Sequence, residues 1–251
     1  MNFFILMIKK TLIRSLSKLL HIAGYDLQRN SKRSNYSYHN LLDRILQYQP
    51  GFRFLQIGGC DGKSFDPLYP YVKTYRGKIS GVIVEPVSSY AEEIKVLYSE
   101  FTGIHVVQKA IHADEKKMKF FRADMNHSQN LPDYAKGVAS FSKSHLLKFR
   151  IPEEYIIEEE VACISMENLL RDQEIDHLDL LQIDAEGYDS EIIKQIDFKQ
   201  IKPSLIHFEH GLKDGTMDGV IISEVIALLN WHNYDVIVED YNATAYLREL
   251  I

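Results

Sequence analysis

The stretch FLQIGGCDG, residues 54–62, reads as a buried strand running into a glycine-rich turn. A second stretch, GVIVEP at residues 81–86, reads as a short buried strand ending in a carboxylate. In an α/β sheet such strand ends lie side by side, so a tight turn and an acid face one crevice, the layout of a nucleotide-like cofactor site. Gly58, Gly59 and Gly62 permit the turn, and free N–H groups in such a loop can receive a carboxylate or phosphate. Glu85 can accept both hydroxyl hydrogens of a ribose. A GxGxxG fingerprint is not met, because Cys60 and Lys63 stand where the second and third glycines are required. A P-loop is absent as well.

Outward from this pair the chain alternates strands with helices. A helix is predicted over residues 38–48, stopped by Pro50-Gly51. Strands follow at 52–57, 79–84 and 104–110, with helices between them. MKFFRA (118–123) suits an additional edge strand. Residues 124–152 are polar and turn-rich, and a long irregular connection inside a compact domain usually serves as a lid or substrate loop. EEVACISMENLLRDQ supplies a strand and a short helix, and LDLLQIDAEG (178–187) and PSLIHFEH (203–210) are further buried strands ending in acids. A helix over 220–233 and two closing strands, YDVIVED and TAYLREL, complete the pattern. Apolar rather than alternating strands indicate a mostly parallel sheet covered on both faces.

The bulk numbers fit one large α/β domain in 251 residues. Two cysteines, Cys60 and Cys163, argue against a disulfide scaffold. A net charge of −6 and the absence of zinc-finger spacing speak against nucleic acid as partner. Residues 1–33 are the exception: Lys9, Lys10, Arg14, Lys18, Arg29, Lys32 and Arg33 face the single acid Asp26. Ile8, Leu12, Ile13, Leu16, Leu19 and Leu20 share one helical face there. The segment is too short to cross a membrane and a poor signal peptide. It suits a helix packed on the domain, a homo-oligomer contact, a helix resting on an anionic membrane surface, or a disordered tail. The domain reading is residues 1–40 for this helix and its linker, then 41–251 for the main domain with an insertion at about 118–160. A cytoplasmic location is expected, with the inner face of the membrane as the variant the basic helix allows.

Polar residues gather at the predicted strand ends. Asp184 and Glu186 flank Ala185, and Gly187 lets the chain turn. Asp184 and Glu209 could share a divalent cation such as Mg²⁺, since hard cations take carboxylate oxygens. His210 and His145 are candidate bases near neutral pH. Asp124, His127, Ser142, Lys143, His145 and Glu186 are the groups that suit a polyhydroxylated substrate. Each of these has a plain alternative as a cap, a loop residue or a core polar group.

FLQIGGCDGKSFDPLYPYV, GVIVEPVSSY, VVQKAI, LLQIDAEGYDSEIIKQIDF and KPSLIHFEH, in this order and spacing, resemble the FkbM-type methyltransferases over about residues 50–240. IDAEGYDSEI is the most specific part. The resemblance implies a Rossmann-like class I fold, with a seven-stranded sheet ending in an antiparallel pair. It implies S-adenosylmethionine as cofactor and transfer of methyl to hydroxyl groups of sugars or polyketide-type products. By the family pattern Gly58, Gly59, Cys60, Asp61 and Gly62 form the cofactor loop, with Gln56 before it. Glu85 and Pro86 hold the ribose, Lys109, Ala110 and Ile111 edge the adenine, and Asp184 lies near the methionine end and the substrate. Gln56 stands where an acid is common and Cys60 where glycine is. The leading expectation is an O-methyltransferase acting on a glycan or glycoconjugate. Methylation of a small natural product, a non-catalytic cofactor-binding or scaffold protein, and an NAD-linked dehydrogenase are the competing readings.

Overall fold

The computed structural model describes residues 36–49, 51–64, 66–213 and 215–250. The basic helix expected over residues 1–33 lies outside the described residues, as does most of the linker after it. Tyr38–Ile251 is a compact unit.

Its elements begin with α1 (Tyr38–Tyr48), β1 (Phe52–Ile57), α2 (Tyr69–Thr74), β2 (Ile79–Val84), α3 (Ser88–Leu97), β3 (Ile104–Val107), β4 (Ala110–Ile111) and β5 (Lys117–Ala123). There follow 3-10 turns at Met125–Asn130 and Asp133–Lys136, then β6 (Ala139–Ser140), α4 (Lys143–Lys148), a third turn at Glu153–Tyr155 and β7 (Ile156–Ile164). The remainder is α5 (Met166–Asp172), β8 (Leu180–Ile183), α6 (Asp189–Lys194), β9 (Leu205–Glu209), α7 (Gly219–Trp231), β10 (Tyr234–Val238) and β11 (Asn242–Leu247).

Seven strands form one sheet in the order β10-β11-β9-β8-β1-β2-β3. β3, β2, β1, β8 and β9 run parallel, and β11 is antiparallel to both β9 and β10. This is the mostly parallel, hairpin-ended sheet of a class I methyltransferase fold. Successive side chains on a strand point to opposite faces, so apolar runs feed two cores. Leu55, Ile57, Val84, Leu181 and Ile183 pack with Leu169, Ile192 and Val225 from α5, α6 and α7. Phe52, Phe54, Ile83 and Leu180 pack with Leu42, Val72 and Ile94 from α1, α2 and α3. Chain order reverses between β1 and β8, and that switch point at the carboxyl ends is where a crevice forms.

Two strand expectations need correction. IHVVQKA is not continuous. Lys109 N–H donates to the Val107 carbonyl at 3.0 Å, a tight turn that takes the chain off the sheet. Ala110–Ile111 then pairs in parallel with Cys163–Ile164. MKFFRA is not an edge strand of the main sheet. It lies inside β5, an inner strand of a second sheet ordered β4-β7-β5-β6. Lys117–Glu160, Lys119–Glu158 and Arg122–Glu159 ion pairs at 2.7, 2.6 and 2.9 Å lace β5 to β7. Among the described residues, no helix is long and apolar enough to cross a membrane.

Candidate active site

The strand ends and the second sheet enclose a cavity of about 500 Å³, within the range of small-molecule sites. Gly58, Cys60 and Glu85 line one part, and Ala110, Ile111, Phe141 and Tyr188 form an apolar wall. Asp184, Glu186 and Glu209 line the cavity as well, as do Tyr134, Phe149 and Tyr241.

The glycine loop is organised around Glu85. One of its carboxylate oxygens, Oε2, accepts Gly59 N–H at 3.2 Å and Cys60 N–H at 2.9 Å; Oε1 accepts Val87 N–H at 2.8 Å. The N–H of Gly58 goes to the Val84 carbonyl and that of Gly62 to the Gly59 carbonyl. The expectation of free loop N–H groups waiting for a ligand carboxylate is therefore corrected for these four residues. Glu85 Oε2 is likewise committed, which leaves Oε1 as the oxygen with a spare lone pair. Burial raises the Glu85 pKa to about 7; the three N–H bonds hold it down, and the charge of Asp184 adds to the rise.

The glycines serve packing. A Cβ on Gly58, at φ +84°, would sit 1.7 Å from the Asp184 carbonyl oxygen. One on Gly59 would sit 2.7 Å from both Ile83 and Ile94. Neither Gly59 nor Gly62 lines the cavity. Asp61 also faces away from it. Its carboxylate accepts Lys63 N–H, Ser64 N–H and the Ser64 hydroxyl, and pairs with Lys136 at 3.2 Å. Partial burial pushes its pKa up, but these bonds outweigh that and bring it to about 2. Cys60 does line the cavity. Burial, with Asp61 and Glu85 beside it, pushes its thiol up to about 12, so it is a neutral donor.

Gln56 is a further correction. It lies on the opposite face of the sheet, in a buried row that runs across four strands as Gln56, Gln182, His207 and Thr244 in register. Gln182 accepts the Tyr38 hydroxyl and donates to Asp66, and His207 bonds Thr244. The role expected of Gln56 beside a cofactor has no geometry to support it.

At the acidic part, Asp184 has surface open to the cavity, but protein encloses it on the remaining sides. That enclosure, with Asp66 second, raises its pKa. Fully buried Asp189 ties the two strand ends together. It accepts Ala185 N–H at 3.3 Å and Glu209 N–H at 3.1 Å, and burial followed by the Asp184 charge lifts its pKa to about 7. Oxygen atoms of Asp184, Glu186 and Glu209 come within 4.8 Å of one another. Glu186 joins the expected Asp184–Glu209 pair; it is bonded to buried His145, whose Nε2 lies 2.8 Å from Glu186 Oε2. His145 is therefore behind the wall, acting on the cavity through Glu186. His210 is corrected as a base: its Nδ1 accepts Leu212 N–H at 3.1 Å and its Nε2–H donates to the Glu239 carbonyl at 3.2 Å.

Four substrate candidates are also displaced. Asp124 caps the Met125–Asn130 turn and pairs with His127. Ser142 bonds Ser144, and Lys143 pairs with Glu153 at 2.8 Å. None of the four lines the cavity. The insertion contributes other residues instead, which sequence reading missed: Tyr134, Lys136, Phe141, Phe149 and Arg150. Tyr90, from α3, was missed too. Its hydroxyl is buried without a hydrogen-bond partner, in a residue that lines the cavity. The oxygen itself exposes essentially no surface, so a ligand in the cavity reaches it only if the ring shifts.

Residues 56–236 match the methyltransferase FkbM domain. The chain belongs to the FkbM methyltransferase family. Membership makes it an S-adenosylmethionine-dependent methyltransferase. No curated protein matches the chain. Among solved structures it is similar to a precorrin-6y C5,15-methyltransferase from Geobacter metallireducens GS-15, at 13% identity and TM-score 0.41, covering 87% of this chain and 93% of that one. It is also similar to the N-methyltransferase NodS from Bradyrhizobium japonicum WM9, at 7% identity and TM-score 0.40, covering 82% of this chain and 90% of that one.

The cavity fits the family's cofactor on its own chemistry. Ala110, Ile111 and Tyr188 suit an adenine, Glu85 Oε1 suits a polar group of the nucleoside, and the carboxylates of Asp184, Glu186 and Glu209 suit a cation.

Proposed function

We propose that this FkbM protein methylates a hydroxyl of a sugar in a glycan or glycoconjugate. The observation that carries this reading is the make-up of the cavity wall: Tyr134 and Phe149 from the insertion and Tyr241 from the strand hairpin line the same cavity as Asp184, Glu186 and Glu209. Aromatic faces with carboxylates beside them suit the apolar C–H faces and the hydroxyl edges of a sugar ring.

When bound, S-adenosylmethionine supplies an electrophilic methyl on a sulfonium. The chain's own residues do the rest. Glu85 Oε1 accepts a ribose hydroxyl, with Pro86 beside it. Ala110, Ile111 and Tyr188 enclose the base. Asp184 orients the acceptor hydroxyl and takes its proton. Glu186, steadied by His145, and Glu209, steadied by the backbone bond to Asp189, hold neighbouring hydroxyls. The same three carboxylates would suit a divalent cation such as Mg²⁺. Chelator treatment decides between these uses: activity that survives exhaustive chelation leaves the carboxylates as direct hydroxyl acceptors.

The test is methyl transfer from labelled S-adenosylmethionine to a panel of sugar, lipid-linked glycan and non-sugar hydroxyl acceptors. Label on a sugar oxygen supports the reading. Label confined to non-sugar products would replace it with natural-product methylation. Tight binding of S-adenosylhomocysteine with no transfer to any acceptor would favour a non-catalytic role.

A further inference from the structure

Resting on the methyltransferase reading of this cavity, we propose that Arg150, with Lys148, forms a cationic head that reads an oxyanion, a phosphate or carboxylate group, carried by the acceptor. The first observation is conformational. Helix α4 ends in a Schellman motif: Ile151 N–H donates to the Leu146 carbonyl at 3.1 Å and Arg150 N–H to the Leu147 carbonyl at 3.0 Å. Arg150 occupies the left-handed position of that motif, at φ +59°. Glycine is the usual residue there, because a Cβ strains the left-handed conformation. Glu174 takes the same left-handed position after α5, at φ +51°, so this geometry fixes where the Arg150 side chain starts and the ligand argument rests on its placement.

The second observation is placement and pairing. Arg150 lines the cavity, as does Lys148. Among the described residues Arg150 has no ion-pair or hydrogen-bond partner for its guanidinium, and Lys148 makes only a 3.4 Å contact with the Gly215 carbonyl. The other insertion cation of the cavity, Lys136, is already matched to Asp61 and Glu93. The acids of the cavity come from the ends of the strands or the turns after them; its cations are Lys109 in the turn after β3, Lys136, and Lys148 and Arg150 at the end of α4. A cofactor cation answers the carboxylates. An acceptor bearing an oxyanion answers Arg150, whose guanidinium fork matches carboxylate or phosphate oxygens in pairs.

The experiment titrates pyrophosphate, inorganic phosphate and acetate, at constant ionic strength, into the protein saturated with S-adenosylhomocysteine. Calorimetry and ³¹P line widths follow binding. Saturable binding of pyrophosphate or acetate is expected, weakened at least tenfold in Arg150→Gly and changed less than twofold in the surface control Lys199→Gln. The phosphate and acetate arms separate a phosphoryl from a carboxylate acceptor. Because glycine suits the position, Arg150→Gly should unfold at or above the wild-type temperature and bind S-adenosylhomocysteine with unchanged affinity. Absence of saturable binding by all three anions, or binding that Arg150→Gly leaves intact, overturns the proposal. If S-adenosylhomocysteine itself fails to bind wild type, the cofactor reading fails instead, and the same titrations on cofactor-free protein still decide the anion site.

Discussion

Three residues carry sharp expectations. Glu85 has a folded-state pKa near 7 against an ordinary 4.5. Between those values the folded protein holds a proton that the unfolded chain has released, so this group's contribution to stability is lost as pH rises from 4.5 to 7. Ligand binding runs the other way, since a ribose hydroxyl donates to the carboxylate and not to the acid. Affinity for S-adenosylhomocysteine should therefore fall below pH 7 with a limiting slope of about tenfold per unit. Calorimetry from pH 5.5 to 8.5 checks it, and Glu85→Gln should flatten the profile. Tyr90 is the second. Removing an unsatisfied buried hydroxyl does not destabilise a fold, whereas losing a ligand hydrogen bond weakens binding by about 1 kcal/mol. Tyr90→Phe should melt at or above wild type and bind S-adenosylhomocysteine as wild type does; binding about fivefold weaker would show that the ring shifts and its hydroxyl meets the cofactor. Asp184→Asn should retain cofactor binding while lowering turnover by at least ~100-fold, and wild-type turnover in that variant would strip Asp184 of its role.

Whole elements raise a different issue, the buried polar row beneath α1. His207 is buried, and that burial, with the charge of His39 second, lowers its pKa from 6.5 to about 3. Within that window the unfolded chain binds a proton that the folded one refuses, so stability falls as pH drops. His207→Phe should lose this dependence. The stability difference between wild type and variant, from urea unfolding at pH 4.5 to 7, should change by about 1.4 kcal/mol per pH unit below 6.5; a flat difference would mean His207 is charged in the fold. This row also shows where sequence reading stops. The strands β1, β2, β8 and β9 were legible because their apolar runs are buried on both faces, and the acids after them marked the crevice. Which face Gln56 takes is set by strand alternation relative to Phe54 and Ile57, and no local signal assigns those faces to cavity or to α1. The second sheet was illegible for a related reason. Strand β7 reads IIEEEVACI, and its acids find partners only when β5 lies beside it, some forty residues earlier in the chain. Gly58 and Gly59 read in the sequence as permitting a tight turn; what forbids a Cβ at them is a neighbouring strand and helix that no local signal reveals.

On the scale of the molecule, the insertion is a small lobe with its own core of Ala123, Ala135, Val138, Leu146 and Ile151. It rests on the main sheet's layer through Phe120 and Val161 against Val87 and Tyr90. Lys136 is the polar link across that seam. Its ammonium lies 3.2 Å from Asp61 and 2.7 Å from Glu93, and 5.5 Å from the centre of the Tyr90 ring. Its carbonyl accepts the Cys60 thiol at 3.7 Å. An isolated surface pair is worth about 0–1 kcal/mol, but this side chain is one-quarter exposed and its ammonium serves two acids and an aromatic face at once. It joins the lobe to the loop after β1 and to α3, the two elements that shape the cofactor end of the cavity. Lys136→Met should keep the lobe folded, because its apolar core is untouched, while loosening its seat. Hydrogen exchange in peptides covering residues 124–152 should quicken about threefold to tenfold, and S-adenosylhomocysteine affinity should fall by a similar factor, in line with a loss of about 1 kcal/mol. Adding salt to wild type should produce a weaker version of the same change. If exchange quickens and affinity does not move, the lobe's seat and the cofactor end are independent; if neither moves, the apolar contacts at Val87 and Tyr90 hold the lobe alone.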